Sequence, residues 1–356
     1  MAKIAICSDI HFHSYSSYIT TETVFNVFDQ ILTYCDSNGI EDLYILGDLF
    51  HVRGKIPVVV FNRVHALFKC ATDQGIKLHL ISGNHDQCFN EDLQTSSICS
   101  LAEIDGVDIL NFESWELGKC KFVGIPYVNT NKEFMSYLDK YKESMSSDKI
   151  NILFTHGMVK GAVVSSGYSF SHSTGVEEGL RFFDLAFVGH IHETQRLFDG
   201  KVIITGAPLC HSKKDMNGVQ RGFWVLDTNT IDLAFVPTKY PKFISNVLHS
   251  REELLKFLKD LTPFNVQDFI FLTVTEQIED LEAILKPYNK YYIEVDVTAP
   301  IKRKEARLET SLADSEEAIV EKYIQKFGSD YNSDLLKHIS TELFDDYSKM
   351  IKEKVA

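Results

Sequence analysis

The sequence predicts an α/β fold, and three observations carry the prediction. Short β-type apolar runs recur from the N-terminus to about residue 237, amphipathic helical patterns separate the first of them, and most of the runs end in a polar cluster. The runs are Ile4–Ile6, Leu43–Leu46, Leu78–Ile81, Ile152–Phe154, Leu185–Val188 and Val202–Ile204. Their nearly continuous apolar character predicts strands buried on both faces. Between the first and second runs, Val24, Val27, Phe28, Ile31, Leu32 and Cys35 follow i, i+3, i+4 spacing, with Gly39 as the stop. Between the second and third, Val60, Val64, Leu67, Phe68 and Ala71 do the same before Gly75. Gly222–Leu226 and Ile231–Val236, joined through Thr228-Asn229-Thr230, predict a hairpin that closes the core.

Pro237 and Pro241 mark a boundary. Beyond it the pattern predicts a strand (Phe243–Leu248), a helix (Glu252–Leu261), a strand (Phe269–Val274), a helix (Ile278–Leu285) and a strand (Tyr291–Val297), a small α+β module. After Pro300 and Lys302-Arg303-Lys304, two amphipathic helices are predicted. One carries Leu312, Ile319, Tyr323 and Phe327; the other carries Leu336, Ile339, Leu343, Tyr347 and Met350. The expected organisation is a domain over 1–237, a capping domain over 238–300 and a helical tail over 301–356.

Bulk properties narrow the class. With 356 residues and 44% hydrophobic content the chain is too apolar to be disordered. It has no basic leader and no stretch of about 18 apolar residues, so no membrane association is expected. Seven cysteines, an odd number without a C-x-x-C pair, argue against a disulfide framework or a thiolate zinc site and for a reducing cytoplasm. Cys88 reads as a small buried hydrophobe. A net charge of -14 argues against nucleic acid as a partner, yet two bound divalent cations would add about +4 where it matters.

The chemistry lies at the ends of the runs. In order they deliver Asp9-Ile10-His11, Gly47-Asp48, Gly83-Asn84-His85-Asp86, His156-Gly157 and Gly189-His190-Ile191-His192. Ligands of α/β sheets bind beyond the carboxyl ends of the strands, so five strand ends are expected to converge on one crevice. Carboxylate, imidazole and amide donors without thiolate suit Mn²⁺, Fe²⁺ or Zn²⁺. Two such ions about 3.5–4 Å apart clamp the attacking and leaving oxygens of a phosphoryl displacement. Phosphate-ester hydrolysis is the reaction such a site fits.

With these motifs the chain resembles the calcineurin-like metallophosphoesterase superfamily, whose signature is D-x-H, G-D, G-N-H-D/E, H and G-H-x-H in this order. The likeness covers residues 1–237 and implies mixed β-sheets flanked by helices. Within the superfamily the chain looks like the SbcD-type nuclease subunits of double-strand-break repair and their phage recombination relatives. Phe50-His51 stands where the protein phosphatases have Val-Asp-Arg-Gly, the GNHD tetrapeptide ends in Asp86 rather than glutamate, and "ITGAPLCHS" followed by "RGFWVLDT" is similar to SbcD closing strands.

The resemblance implies a role for each matching position. Asp9, His11 and His192 would hold one divalent ion, Asn84, His156 and His190 the other, and Asp48 would bridge both; the ions would be Mn²⁺, with Mg²⁺ as the alternative. His85 would face the scissile phosphate with Asp86 orienting its ring, His51 would help to place the DNA end, and a metal-activated hydroxide would attack. It further implies 3′ to 5′ exonuclease and single-strand endonuclease activity on DNA, a homodimer, and a tail that grips an SbcC-type coiled-coil ATPase. The competing readings are a stand-alone phosphoesterase for phosphoproteins or nucleotides, and a non-catalytic DNA-end scaffold.

Other residues are assigned less. His13 is a candidate for contact behind the ligands. His172 and His211 are expected on solvent-exposed loops, and His79 as a satisfied core residue; His65, His249 and His338 receive no role. Arg53-Lys55, Lys213-Lys214 and Lys302-Arg303-Lys304 are candidate phosphate contacts.

Overall fold

The structure is a computed structural model that describes residues 3–14, 18–87, 95–143, 145–164, 169, 182–212, 215, 220–261, 264–298 and 322. Cys88, His172, Lys213-Lys214, Lys302-Arg303-Lys304, His338 and the two amphipathic tail stripes lie outside the described residues.

Two mixed sheets stack face to face. The first has the order β12-β11-β1-β2-β3-β4, with β1 (Lys3–Cys7), β2 (Asp42–Leu46), β3 (Lys77–Ile81) and β4 (Val107–Ile109) parallel. The hairpin β11 (Gly222–Asp227) and β12 (Leu233–Pro237) joins antiparallel, pairing Ile4 with Leu226. The second has the order β5-β6-β7-β8-β10-β9. Here β6 (Cys120–Ile125), β7 (Ile150–His156), β8 (Leu185–Gly189) and β10 (Val202–Ile204) run parallel, with β5 (Ser114–Leu117) and β9 (Gln195–Leu197) antiparallel at the edges.

Burial on both faces explains the continuous apolar runs. In β1, Ile4 and Ile6 face the second sheet with Tyr44, Phe122, Phe154, Phe187 and Trp224, whereas Ala5 and Cys7 face the helices. On that outer side lie α1 (Thr21–Asn38) and α2 (Val58–Asp73). Helix α1 starts where the Thr20 hydroxyl accepts the Thr23 N–H and stops at Gly39, whose φ of 62° suits a residue without Cβ. Helix α3 (Asn131–Lys142) covers the far face of the second sheet through Phe134 and Leu138.

The second sheet is larger than the apolar runs suggest. Strands β5, β6 and β9 of this sheet, β4 of the first sheet and helix α3 were not expected. Lys121 and Gly124 interrupt the run of β6, and Gly124 is there because a Cβ would run into the carbonyl of Leu110. Helix α3 did carry a signal: Thr130 and Glu133 form a reciprocal capping box.

The predicted α+β module exists as a three-stranded sheet of β13 (Phe243–Leu248), β14 (Phe269–Val274) and β15 (Tyr292–Val297), with helices Arg251–Lys259 and Leu281–Leu285. It has a small core of its own around Leu254, Leu258, Ile270 and Leu272. It also joins the first sheet's helical layer: the Tyr18 ring lies 5.4 Å from those of Phe269 and Phe271, and its hydroxyl donates to Glu294 at 3.1 Å. Residues Met1–Val274 and Ile278–Asp296 accordingly form one compact unit; Thr275–Gln277 and Val297–Ala356 make a second, most of it outside the described residues. Among the described residues no helix is long and apolar enough to cross a membrane.

Candidate metal centre

The carboxyl ends of β1, β2 and β3 in one sheet and of β7 and β8 in the other meet at one rim. Main-chain bonds extend the sheet pairing past the strands there: Asp9 N–H to the Gly47 carbonyl, His11 N–H to that of Asp48, and Phe12 N–H to that of Leu49. Two glycines let the segments touch. A Cβ on Gly47, where φ is 90°, would meet His156 Nδ1 and Gly83 Cα, and one on Gly83 would overlap the Asp48 main chain and carboxylate. Four of the predicted ligands hold a strained backbone: Asp9, His11, Asp48 and His190 have φ of 54°, 52°, 52° and 93°. Such positions cost about 1–3 kcal/mol each and persist where the surroundings over-determine them.

All seven predicted ligands come together, as two groups. Asp9, His11 and His192 form one; Asp48, His156 and His190 form the other, and within each group the ligand atoms lie within 4.8 Å of one another, as they also do in a third cluster of His11 with His51 and His85. Asn84 belongs to the second group, its Oδ1 being 3.0 Å from His156 Nε2 and 2.8 Å from His190 Nδ1. Asp48 stands between them, with Oδ2 3.6 Å from His11 Nε2 and Oδ1 3.4 Å from His156 Nε2.

Hydrogen bonds and burial prepare these donors. His156 Nδ1 donates to the Leu46 carbonyl at 2.7 Å, which turns Nε2 into the site. Burial holds His11 well below its ordinary pKa and pushes His190 down to about 3, helped by the charge of His156, so both rings are neutral, the state a metal ligand requires. His156 is the opposite case: burial works against its charge, but Asp48 lifts it to about 9. Burial raises Asp9, while Asp48 is held well below the carboxylate range because the imidazoles, His156 first, outweigh its burial.

The residues fit a pair of cations. Asp9 is fully buried, yet Oδ1 has no hydrogen-bond partner and lies 3.9 Å from both His11 Nε2 and His192 Nε2. Those two Nε2 atoms face each other at 3.3 Å. Inward-facing ring nitrogens around an unsatisfied carboxylate oxygen form a cradle that a cation would fit, with only nitrogen and oxygen donors.

His85 and His51 lie beside this cradle, their rings 4.9 and 5.2 Å from that of His11. One expected contact is corrected. The ring of His85 is held by the carbonyl of His51, to which Nδ1 donates at 2.5 Å, and not by Asp86. Asp86 is buried and accepts main-chain N–H groups of Leu49, Phe50 and Gly83 at 3.0, 3.2 and 2.9 Å, so it joins the two loops that carry Asp48 and Asn84. Burial, then the charge of Asp48, push its carboxyl up to about 7. Asp86→Ala should therefore lower the free energy of urea unfolding by about 2–4 kcal/mol, because three buried donors lose their acceptor. A loss below about 1 kcal/mol would show that those amides find other partners.

The remaining histidines divide. His79 is satisfied as expected, with Nε2 2.9 Å from Asp42 and its ring stacked on Tyr44. His13 is buried near His51 but joins neither ligand group. His211 corrects the expectation of exposure. Its segment follows the buried Ala207, Leu209 and Cys210 into the core, and Nε2 donates to the Asp9 carbonyl at 2.8 Å. Asp215 and Arg221, which stand near His192, were not singled out as site residues, because only long-range packing brings their segment to it; Glu193, the next residue in the chain, pairs with Arg221.

Residues 2–194 match the family model of the calcineurin-like phosphoesterases, and the chain belongs to that family. A particular relative is "Exonuclease subunit 1" of Enterobacteria phage T4, 27% identical over 214 residues, or 58% of this chain; the chain spans 59% of that relative's length. Among solved structures, a dimetal phosphatase from Danio rerio is 12% identical with a TM-score of 0.38, covering 68% of this chain and 97% of its own. The nuclease MPE of Pseudomonas putida is 13% identical with a TM-score of 0.29, covering 65% and 87%.

Proposed function

We propose that the chain is a Mn²⁺-dependent DNA nuclease, a 3′ to 5′ exonuclease with single-strand endonuclease activity. The observation that carries the reading is Asp48 lodged between two imidazole-bearing groups, with His85 and His51 alongside. Family membership supports phosphoester hydrolysis, and the likeness to a phage exonuclease subunit supports DNA as the substrate.

Asp9, His11 and His192 would hold one ion, Asn84, His156 and His190 the other, with Asp48 shared. When bound, such a pair supplies Lewis-acid charge to a phosphodiester and lowers the pKa of water. The chain's own residues do the rest. Because a carbonyl can only accept, His85 carries its proton on Nδ1 toward His51, and Nε2 is left to meet the phosphate. There it stabilises charge and, when protonated, passes a proton to the oxygen that leaves phosphorus. His51 borders the same space and positions the DNA end. Arg53 and Lys55, exposed on the loop after His51, would meet backbone phosphates. In this reading the protein works in the cytoplasm as a homodimer, with residues 301–356 gripping an SbcC-type coiled-coil ATPase.

The test is degradation of linear DNA in Mn²⁺ by wild type and His85→Ala. The variant should be slower by about 10²–10⁴-fold while still binding Mn²⁺. Equal rates would refute the assigned site. Turnover of phosphopeptides without DNA cleavage would favour a stand-alone phosphoesterase, and purified protein that retains no divalent ion would favour a scaffold.

A further inference from the structure

We infer that Asp215 is the positioning residue for His192, and that it acts with His211 to hold the Asp9, His11 and His192 group in shape. The inference deepens the metal-centre reading and rests on it.

The ring of His192 is engaged on both sides. Nε2 lies inside the group, 3.3 Å from His11 Nε2 and 3.9 Å from Asp9 Oδ1. Nδ1 lies on the other side, 3.5 Å from Asp215 Oδ2. A carboxylate beside Nδ1 favours the ring proton on that nitrogen and so turns Nε2 toward a cation.

Asp215 can impose this because its own position is determined from several directions. The same Oδ2 accepts the main-chain N–H groups of His211 at 2.8 Å and Ser212 at 3.2 Å. Its carbonyl accepts from the Cys210 thiol at 3.2 Å and from Arg221 Nη2 at 3.1 Å. Arg221, only 2% exposed, also donates to the carbonyl of His192 and pairs with Glu193 at 3.2 Å. One buried guanidinium thus ties the main chain of the ligand to that of the residue behind its ring.

The neighbouring imidazole completes the arrangement. His211 Nε2 donates to the carbonyl of Asp9, a residue kept at a positive φ, and its ring packs 4.9 Å from His11 and 5.2 Å from His192. Asp9 and His192, which come from different sheets, are therefore held by the same short piece of chain. A carboxylate that only capped its own loop would need the two main-chain N–H groups; the contact with His192 is additional to them.

The experiment compares Mn²⁺ binding, by calorimetry and by electron paramagnetic resonance, in wild type, Asp215→Asn and Asp215→Glu. Wild type should take two ions per chain. Asp215→Asn should weaken one of the two by about 10–100-fold and leave the other unchanged, and Asp215→Glu should recover most of the loss. Two ions bound with wild-type affinity by Asp215→Asn would overturn the inference alone; wild type that binds no ion pair would overturn the metal-centre reading as well. Should Asp215→Asn fail to fold, ¹⁵N-histidine spectra of Zn²⁺-loaded wild type decide. His192 should carry its proton on Nδ1 and ligate through Nε2, and the reverse assignment overturns the inference.

Discussion

Asp48→Ala is expected to reduce Mn²⁺-dependent DNA hydrolysis by at least about 10³-fold and to remove tight binding of both ions. Its two carboxylate oxygens serve different groups, one 3.6 Å from His11 and the other 3.4 Å from His156, so no other residue can take over the shared position. The carboxylate also accepts the main-chain N–H of His85 at 2.8 Å, so its loss loosens the turn that presents that imidazole. Calorimetric titration of the variant with Mn²⁺ separates the cases. Loss of both ions is the expected result, whereas retention of one ion at wild-type affinity would show that Asp48 belongs to a single site.

Phe154→Ala should lower stability by about 3–5 kcal/mol, the cost of a large cavity in a rigid core. Phe154 is fully buried between the sheets, its ring 5.1 Å from Phe122, 5.2 Å from Tyr44 and 5.5 Å from Phe187. Tyr44 belongs to the first sheet and the other two to the second, so the cavity opens at the plane where the sheets meet. The melting temperature should fall by about 10 °C. Mn²⁺ affinity should fall with it, because Asp9, Asp48 and Asn84 come from one sheet while His156, His190 and His192 come from the other. A drop in stability below about 1 kcal/mol would mean that the two sheets close over the gap. Undiminished Mn²⁺ affinity in the folded variant would show that the ligand groups do not depend on sheet spacing.

Much of the fold could be read from period and punctuation. Alternating β-type and helical patterns located β1, α1, β2, α2 and β3 to within a few residues, because each segment's apolar pattern states which faces it buries. The strands that escaped notice are those whose burial is not local. Strand β6 holds Lys121 and Gly124, and Gly124 makes sense only against the carbonyl of Leu110 in a different segment. In the site, the local motifs identified the donors but misread two of their neighbours. Asp86 follows His85 directly and was expected to serve it, yet a turn of main chain sends its carboxylate to the amides of Leu49, Phe50 and Gly83. His211 sits in a polar stretch, and only the burial of the preceding Leu209 and Cys210 carries it inward.

The sequence by itself determined the chemistry: nitrogen and oxygen donors, in a fixed order, each at the end of an apolar run. That information is local, because strand ends and turn residues are set by neighbours in the chain. Tertiary structure alone decided which donors gather into one group, that Asp48 faces both groups, and that Asp215 and Arg221 stand behind His192. These depend on the packing of two separate sheets, where His156 meets the carbonyl of Leu46 across 110 residues of chain, and no local period encodes a contact at that separation.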